Sequence, residues 1–181
     1  MENDIDPLRF DLSTDRIIDS YDNKEKKFNI GNKYMTIEEN DIWLILGILS
    51  GDTKLKLKYA PKCHSEFVLW CFGIGIKKIN PKAISDALDH ALNIEGQDSI
   101  EDVARLLILY LCITFLFATK GNRLKWGFLY YVEDINAMIT YNWSAAIIND
   151  IMSTIEDKNV SGCVVALQVK TMTISNKLSN I

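Results

Sequence analysis

Residues 103–118 read VARLLILYLCITFLFA and form the most apolar stretch of the chain. The stretch has a single charge, Arg105 near its start, and one threonine inside it, Thr114. It spans 16 residues, whereas a helix that crosses a bilayer needs about 20. Because it is apolar nearly all round, it predicts a buried helix at the centre of a bundle rather than a membrane span. Asp98 or Ser99 is expected to start this helix.

Amphipathic patterns before the central stretch predict further helices. Asn80-Pro81 combines a helix cap with a first-turn proline. An apolar stripe at i, i+3, i+4 and i+7 follows and is formed by Ile84, Ala87, Leu88 and Ala91. Nearer the N-terminus, Thr36–Glu39 has the form of a capping box that would start a helix running through Leu49.

The flanking regions complete the predicted pattern. After the central stretch we expect a short helical segment over residues 128–139, a helix capped by Asn142, and a last helix from Ser161. Near the N-terminus, two short alternating runs flank Gly31-Asn32, which predicts a small β-hairpin. Farther on, the alternation over Lys54–Tyr59 fits either an exposed edge strand or an extended loop.

Together these patterns predict a mainly α-helical, single-domain bundle of about six or seven helices with a small N-terminal β-hairpin. The domain is expected at residues 28–174, between an N-terminal segment at 1–27 and a flexible tail at 175–181. Hydrophobic residues make up 48% of the 181-residue chain, which is enough for one buried core. The formal net charge of −4 argues against a uniformly basic nucleic-acid binder.

Cysteine usage and the N-terminal sequence predict an intracellular location. The cysteines are Cys63, Cys71, Cys112 and Cys163. Their spacing does not suggest a disulfide framework, which favours a reducing compartment. The first six residues, MENDID, lack the apolar core of a secretory signal.

A series of short motifs runs through the second half of the chain. They are Leu109-Tyr110-Leu111, Phe115-Leu116-Phe117, Gly121-Asn122-Arg123-Leu124, Leu129, Glu133-Asp134-Ile135, Tyr141-Asn142-Trp143-Ser144-Ala145-Ala146, Gly162-Cys163 and Leu167-Gln168. In order and spacing, this series resembles the plant mobile domain family. The likeness covers roughly residues 28–174 and is strongest over 106–168. The chain departs from the family pattern around residues 52–80 and after Gln168, where an aromatic-rich segment is usual.

The resemblance implies a non-catalytic protein-interaction module of transposon-derived plant nuclear type. It also implies a phosphatase-like protein as partner and a role in gene or transposon silencing and development. The family is labelled aminotransferase-like as well, but that activity would need pyridoxal phosphate on a lysine within a large α/β fold. We therefore expect no enzyme activity, no cofactor and no membrane contact.

A nucleic-acid-binding module is the alternative prediction. The residues that could contact phosphates are Lys54, Lys56, Lys58, Lys62, Arg123 and Lys125. If these side chains met on one face, they would bind the backbone of a nucleic acid mostly without sequence preference. Solvated lysines on separate surfaces are the simpler interpretation.

Residues able to support catalysis or metal binding are few. A zinc site needs three or four converging ligands, and the candidates are Cys63-His64, Cys71 and His90. The same residues would have to provide any cysteine nucleophile with its histidine base. This pattern predicts no metal site and no catalytic pair.

Three further features have ordinary structural interpretations. Gly73-Ile74-Gly75 lacks the rest of a phosphate-binding loop, so we expect a turn. Glu133-Asp134 is a carboxylate pair whose simplest role is to start a helix. Large apolar side chains, including the tryptophans Trp43 and Trp70, are expected to pack inside. The predicted core anchors are Trp126, Trp143, Leu109 and Phe115.

Overall fold

The computed structural model describes residues 14–30, 33–48, 50–57, 65–76, 78–94, 97–118, 121, 123–156 and 162–178. Within these ranges lie the helices α1 (Thr14–Asp19), α2 (Glu39–Leu46), α3 (Glu66–Phe72), α4 (Pro81–Leu92), α5 (Gln97–Leu111), α6 (Gly127–Val132), α7 (Ile135–Met138), α8 (Trp143–Glu156) and α9 (Val164–Leu178). The strands are β1 (Tyr21–Asp22), β2 (Lys27–Ile30) and β3 (Lys33–Met35). The predicted mainly α-helical class is confirmed, with more and shorter helices than expected.

The strands form one antiparallel sheet in the order β1-β2-β3. β2 and β3 make the predicted hairpin, and Phe28 stands opposite Met35 with both side chains buried. β1 extends this hairpin, since Tyr21 pairs with Phe28 and their ring centroids lie 5.0 Å apart. In α1, Ile17 is also buried. The folded region therefore starts before residue 28, and the expected boundary falls inside β2.

The ends of α2 differ from the sequence prediction. Its cap is Glu38, whose backbone N–H donates to the Asp41 carboxylate at 2.8 Å. The Thr36 hydroxyl, expected to cap the helix, donates to the Glu38 carboxylate at 3.2 Å instead. At the other end, Gly47 takes a left-handed conformation with φ +69° and stops the helix earlier than predicted.

The apolar stretch is helical over residues 103–116, which confirms the predicted helix except for its last two residues. α5 continues into a π-helical segment, Cys112–Leu116, and packs against α4 and α6. The buried side chains of the stretch are Leu106, Leu109, Cys112, Ile113 and Phe117. The expectation of burial all round is wrong, because four large side chains of the stretch are exposed, namely Leu107, Tyr110, Leu111 and Phe115.

Aromatic side chains connect this stretch to the C-terminal half. The ring centroids of Phe117 and Phe128 lie 4.7 Å apart, and those of Phe128 and Trp143 lie 6.4 Å apart in a nearly parallel stack. The Trp143 indole N–H donates to the Met138 carbonyl at 3.0 Å. Its polar edge is thus satisfied although the ring is buried.

The predicted helical segment at 128–139 is split into α6 and α7. Asp134 caps α7, with its carboxylate accepting the backbone N–H groups of Asn136 and Ala137 at 2.9 and 3.1 Å. The pair Glu133-Asp134 therefore lies at a helix start, as the simpler interpretation has it. α9 continues to Leu178, four residues into the segment expected as a tail.

Residues 50–57 run alongside the start of α8 as an extended loop rather than as a strand of the sheet. Isolated bridges join Ser50 to Asn142 and Thr53 to Tyr141. Among the residues with defined placement, no helix is both long enough and apolar enough to cross a membrane.

Candidate functional site

α5 and its π-helical extension carry a row of large apolar side chains on the molecular surface. We call this row the α5 apolar face; its members are Ile100, Leu107, Tyr110, Leu111 and Phe115. Their exposed fractions run from 36% for Phe115 to 63% for Ile100. Clusters of exposed large apolar side chains often mark sites of interaction with other proteins.

The α5 apolar face follows from helical periodicity. Leu107 lies two turns beyond Ile100, and Leu111 lies one further turn along, so the three share one side of the helix. Ala104 and Thr114 fall on that side as well, which leaves the row without a charge. Along the row, the Thr114 hydroxyl is satisfied within the helix, where it donates to the Tyr110 carbonyl at 2.6 Å.

A cleft of about 500 Å³ opens beside the start of this face. We call it the α3–α5 cleft; its lining residues are Glu66, Phe67, Trp70, Ile94, Glu101, Asp102, Arg105 and Glu133. The aromatic and aliphatic members form an apolar wall. The charged members are four carboxylates and one guanidinium, so the lining is acidic.

Arg105 occupies the inner part of the α3–α5 cleft and is held there by several contacts. Its guanidinium donates to Asp102 at 2.7 Å and to Glu101 at 2.9 Å, and its Nε donates to the Glu133 carbonyl at 3.0 Å. The same group lies 5.5 Å from the centroid of the Phe67 ring. The side chain is only 16% exposed, so this charge is fixed in one position.

Trp70 forms an outer wall of the cleft. It is 41% exposed, and its ring lies 5.3 Å from the ring of His90 on α4. The expectation that every tryptophan packs inside is therefore wrong for Trp70, and also for Trp43, which is 48% exposed. An exposed indole beside carboxylates offers a face for a cation.

The predicted basic residues are only partly brought together. Lys56 and Lys125 line one pocket of about 390 Å³ between residues 55–57 and α8. Lys125 is already paired there with Asp150 at 2.7 Å. Lys54 and Arg123 are exposed, whereas Lys58 and Lys62 lie outside the described residues.

The predicted core anchors divide into two groups. Leu109 and Trp143 are buried, and Trp126 is partly buried against the core. Phe115 is exposed instead, because it follows the outer side of the π-helical segment. It belongs to the α5 apolar face.

The cysteines in the described part of the chain are held as protonated thiols. Burial raises the pKa of Cys112 to about 12. Burial, reinforced by the nearby Asp102 carboxylate, raises the pKa of Cys71 to about 12 as well. Burial also raises the pKa of Cys163. Thiols in this state are poor nucleophiles and poor metal ligands at neutral pH.

Cys71 and His90 line the same small pocket of about 350 Å³. The hydrogen bonds found among the placed residues do not join them. Across those residues, no group of three His, Cys, Asp or Glu side chains is arranged to hold a metal ion. The candidates Cys63 and His64 lie outside the described residues.

Neither the α5 apolar face nor the α3–α5 cleft was predicted from the sequence. The charged residues Glu101, Asp102 and Arg105 in the first half of α5 contrast with the apolar run after them. That contrast is a signal from which the cleft could have been predicted. The contribution of Trp70 was not readable, because a tryptophan within the run Phe67–Phe72 looks like a core residue.

Comparison with protein families matches residues 9–168 to the family described as "Domain of unknown function (DUF8566)". The chain belongs to this family. The match covers most of the chain, so the DUF8566 region contains α5, the α5 apolar face and the α3–α5 cleft. A search of curated proteins gave no match, and a search of solved structures also gave none.

Proposed function

We propose that this DUF8566 domain is a non-catalytic protein-interaction module that presents the α5 apolar face to a protein partner. The observation that carries the proposal is the exposure of five large apolar side chains along one side of α5 and its π-helical extension. Exposure of the Leu107 and Leu111 side chains to water is unfavourable in free energy, and a partner that covers them removes this term.

The shape and chemistry of the face favour a protein over a small molecule. From Ile100 to Phe115 the row extends roughly 22 Å along a helix. It is uncharged and convex, whereas small molecules are usually bound in concave sites that surround most of the ligand. A groove or a second helix from another protein would match this row in length and polarity.

The resemblance of residues 106–168 to the plant mobile domain extends the proposal. On this basis the module is transposon-derived and nuclear, and its partner is a phosphatase-like protein that acts in gene or transposon silencing and development. The DUF8566 description itself adds no activity, so this extension depends on the resemblance.

The test is affinity capture from plant nuclear extract, with and without nuclease, using the tagged chain and a paired substitution. Leu107→Gln with Leu111→Gln removes the centre of the α5 apolar face while keeping good helix formers. Leu44→Gln with Ile139→Gln is the matched control, because it removes two exposed apolar side chains elsewhere.

The proposal is supported if a protein is still captured after nuclease treatment by the wild type and by the Leu44→Gln/Ile139→Gln variant, but not by the Leu107→Gln/Leu111→Gln variant. A partner retained equally by both pairs would contradict the proposal. Circular dichroism of all variants checks that the helices remain folded.

Nucleic-acid binding is the second candidate, favoured by the position of Lys56 and Lys125 around one pocket. It predicts that captured material disappears on nuclease treatment and that affinity for a mixed-sequence duplex falls steeply with salt. Lys54→Gln with Lys56→Gln should then weaken binding to all sequences equally. Affinity that does not change with these lysines or with salt would reject it.

A further inference from the structure

We propose that the α3–α5 cleft binds a basic side chain, arginine or lysine, carried by the protein segment that docks on the α5 apolar face. This inference rests on the proposed interaction function and specifies the chemistry of the partner. The occupant to which it commits is a segment with a cationic residue flanked by apolar ones.

The first support comes from the chain's own Arg105. The inner half of the cleft already holds a guanidinium against an aromatic ring, with Phe67 below it and the carboxylates of Glu101 and Asp102 at its edge. The surroundings therefore stabilise a cation in a site where it is largely shielded from water.

The second support is that the outer half repeats these components, while Arg105 is the one cation that lines the cleft among the described residues. Trp70 presents a half-exposed indole, and Glu66 stands one turn before it on α3. The described structure records no ion pair for Glu66. An incoming ammonium or guanidinium group could contact the indole and a carboxylate together, as Arg105 contacts the Phe67 ring and two carboxylates.

The charge balance of the cleft supports a cation rather than an anion. Four carboxylates and one guanidinium line it, and an anion would have to displace Arg105 from two of those carboxylates. A basic side chain instead meets complementary charge, which also speeds the encounter of the two proteins.

The third support is the position of the cleft. Ile100 and Glu101 are consecutive on α5; Ile100 opens the α5 apolar face, and Glu101 lines the cleft. A segment lying along the face would carry its end past the cleft mouth. One bound segment could thus use both surfaces.

The experiment measures binding of two labelled, capped nine-residue peptides to the full chain by fluorescence anisotropy. One peptide has two arginines among leucine, alanine and serine, and its twin has neutral citrulline in place of each arginine. Both are titrated into the wild type, Glu66→Gln, Glu101→Gln and Trp70→Leu. Glu25→Gln is the matched control, since it removes one exposed carboxylate from the turn between β1 and β2.

We expect the arginine peptide to bind more tightly than its citrulline twin. Each carboxylate substitution in the cleft should weaken the binding of the arginine peptide roughly two- to five-fold. Trp70→Leu should weaken its binding to a similar extent. Glu25→Gln should change nothing beyond the error of the measurement, although it alters the net charge equally.

Equal affinities for the two peptides, absence of binding at millimolar peptide, or equal weakening by Glu25→Gln and Glu66→Gln would each overturn the inference. These outcomes are separable from failure of the proposed function. If the cleft does not bind a basic side chain but the chain is still an interaction module, the Leu107→Gln/Leu111→Gln variant still fails to capture the partner.

Discussion

The Arg105 guanidinium on α5 lies 5.5 Å from the centroid of the Phe67 ring on α3. This contact joins the central helix to a helix that is more than 30 positions earlier in the chain. The same guanidinium binds Glu101 and Asp102 one turn before it. Arg105 therefore links α5 to α3 and shapes the cleft between them.

Replacing Arg105 should destabilise the domain more than replacing an exposed cation. Arg105→Met leaves Asp102, only 19% exposed, without its partner. We expect the free energy of unfolding to fall by about 1–3 kcal/mol, measured by urea denaturation. The control is Lys82→Met, which breaks the exposed pair with Asp86 and should cost less than about 1 kcal/mol. Equal losses in both variants would show that Arg105 has no special role.

Close backbone approach makes two glycines sensitive to a single added methyl group. A Cβ at Gly51 would lie 2.2 Å from the carbonyl carbon of Thr140, and one at Gly127 would lie 2.5 Å from the carbonyl oxygen of Leu57. Gly51→Ala and Gly127→Ala should each lower the free energy of unfolding by about 1–3 kcal/mol, seen as a lower urea midpoint.

Gly121→Ala is the matched control for these substitutions. Among the described residues, its added Cβ would meet the flexible side chain of Arg123, at 3.8 Å. The urea midpoint of this variant should stay at the wild-type value. A loss as large as that of Gly51→Ala would mean that general glycine effects, rather than backbone contact, explain the results.

The sequence predicted the helical class and the central helix because those depend on local signals. Apolar periodicity, caps such as Asn80 and the alternating runs of the hairpin strands are all patterns of neighbouring residues. The pairing of β1 with β2 was not readable, since a two-residue strand carries almost no pattern of its own.

The two candidate surfaces were missed because exposure is a tertiary property. The run at 103–118 is apolar on every side, and no local signal says which side its neighbours will cover. Leu107 and Leu109 look alike in sequence, yet the first is 46% exposed and the second is fully buried. Likewise, Trp70 becomes a cleft wall only because residues of α5, distant in sequence, form the opposite part of the lining.

The buried thiol of Cys112 should make stability depend on alkaline pH. Burial raises its pKa from 9.0 to about 12 in the folded state. The unfolded thiol ionises above pH 9 and the folded one does not, so the stabilising contribution is complete below pH 9 and is lost as the pH rises toward 12. The slope attributable to Cys112 is at most about 1.4 kcal/mol per pH unit.

This dependence is measured by urea denaturation of the wild type and Cys112→Ala at pH 8 and pH 10.5. The alanine variant lacks the titrating group, so the advantage of the wild type should shrink between the two pH values. An advantage that stays constant would mean that the thiol ionises equally in both states.

The central claim is that the α5 apolar face is where a partner protein docks. The most direct test places a photo-reactive benzoylphenylalanine at position 107 of the full chain, and at position 44 as the control, then irradiates each in nuclease-treated plant nuclear extract. The account predicts a discrete cross-linked protein at position 107 and none at position 44. Cross-linking of the same protein at both positions, or of no protein at position 107, would contradict it.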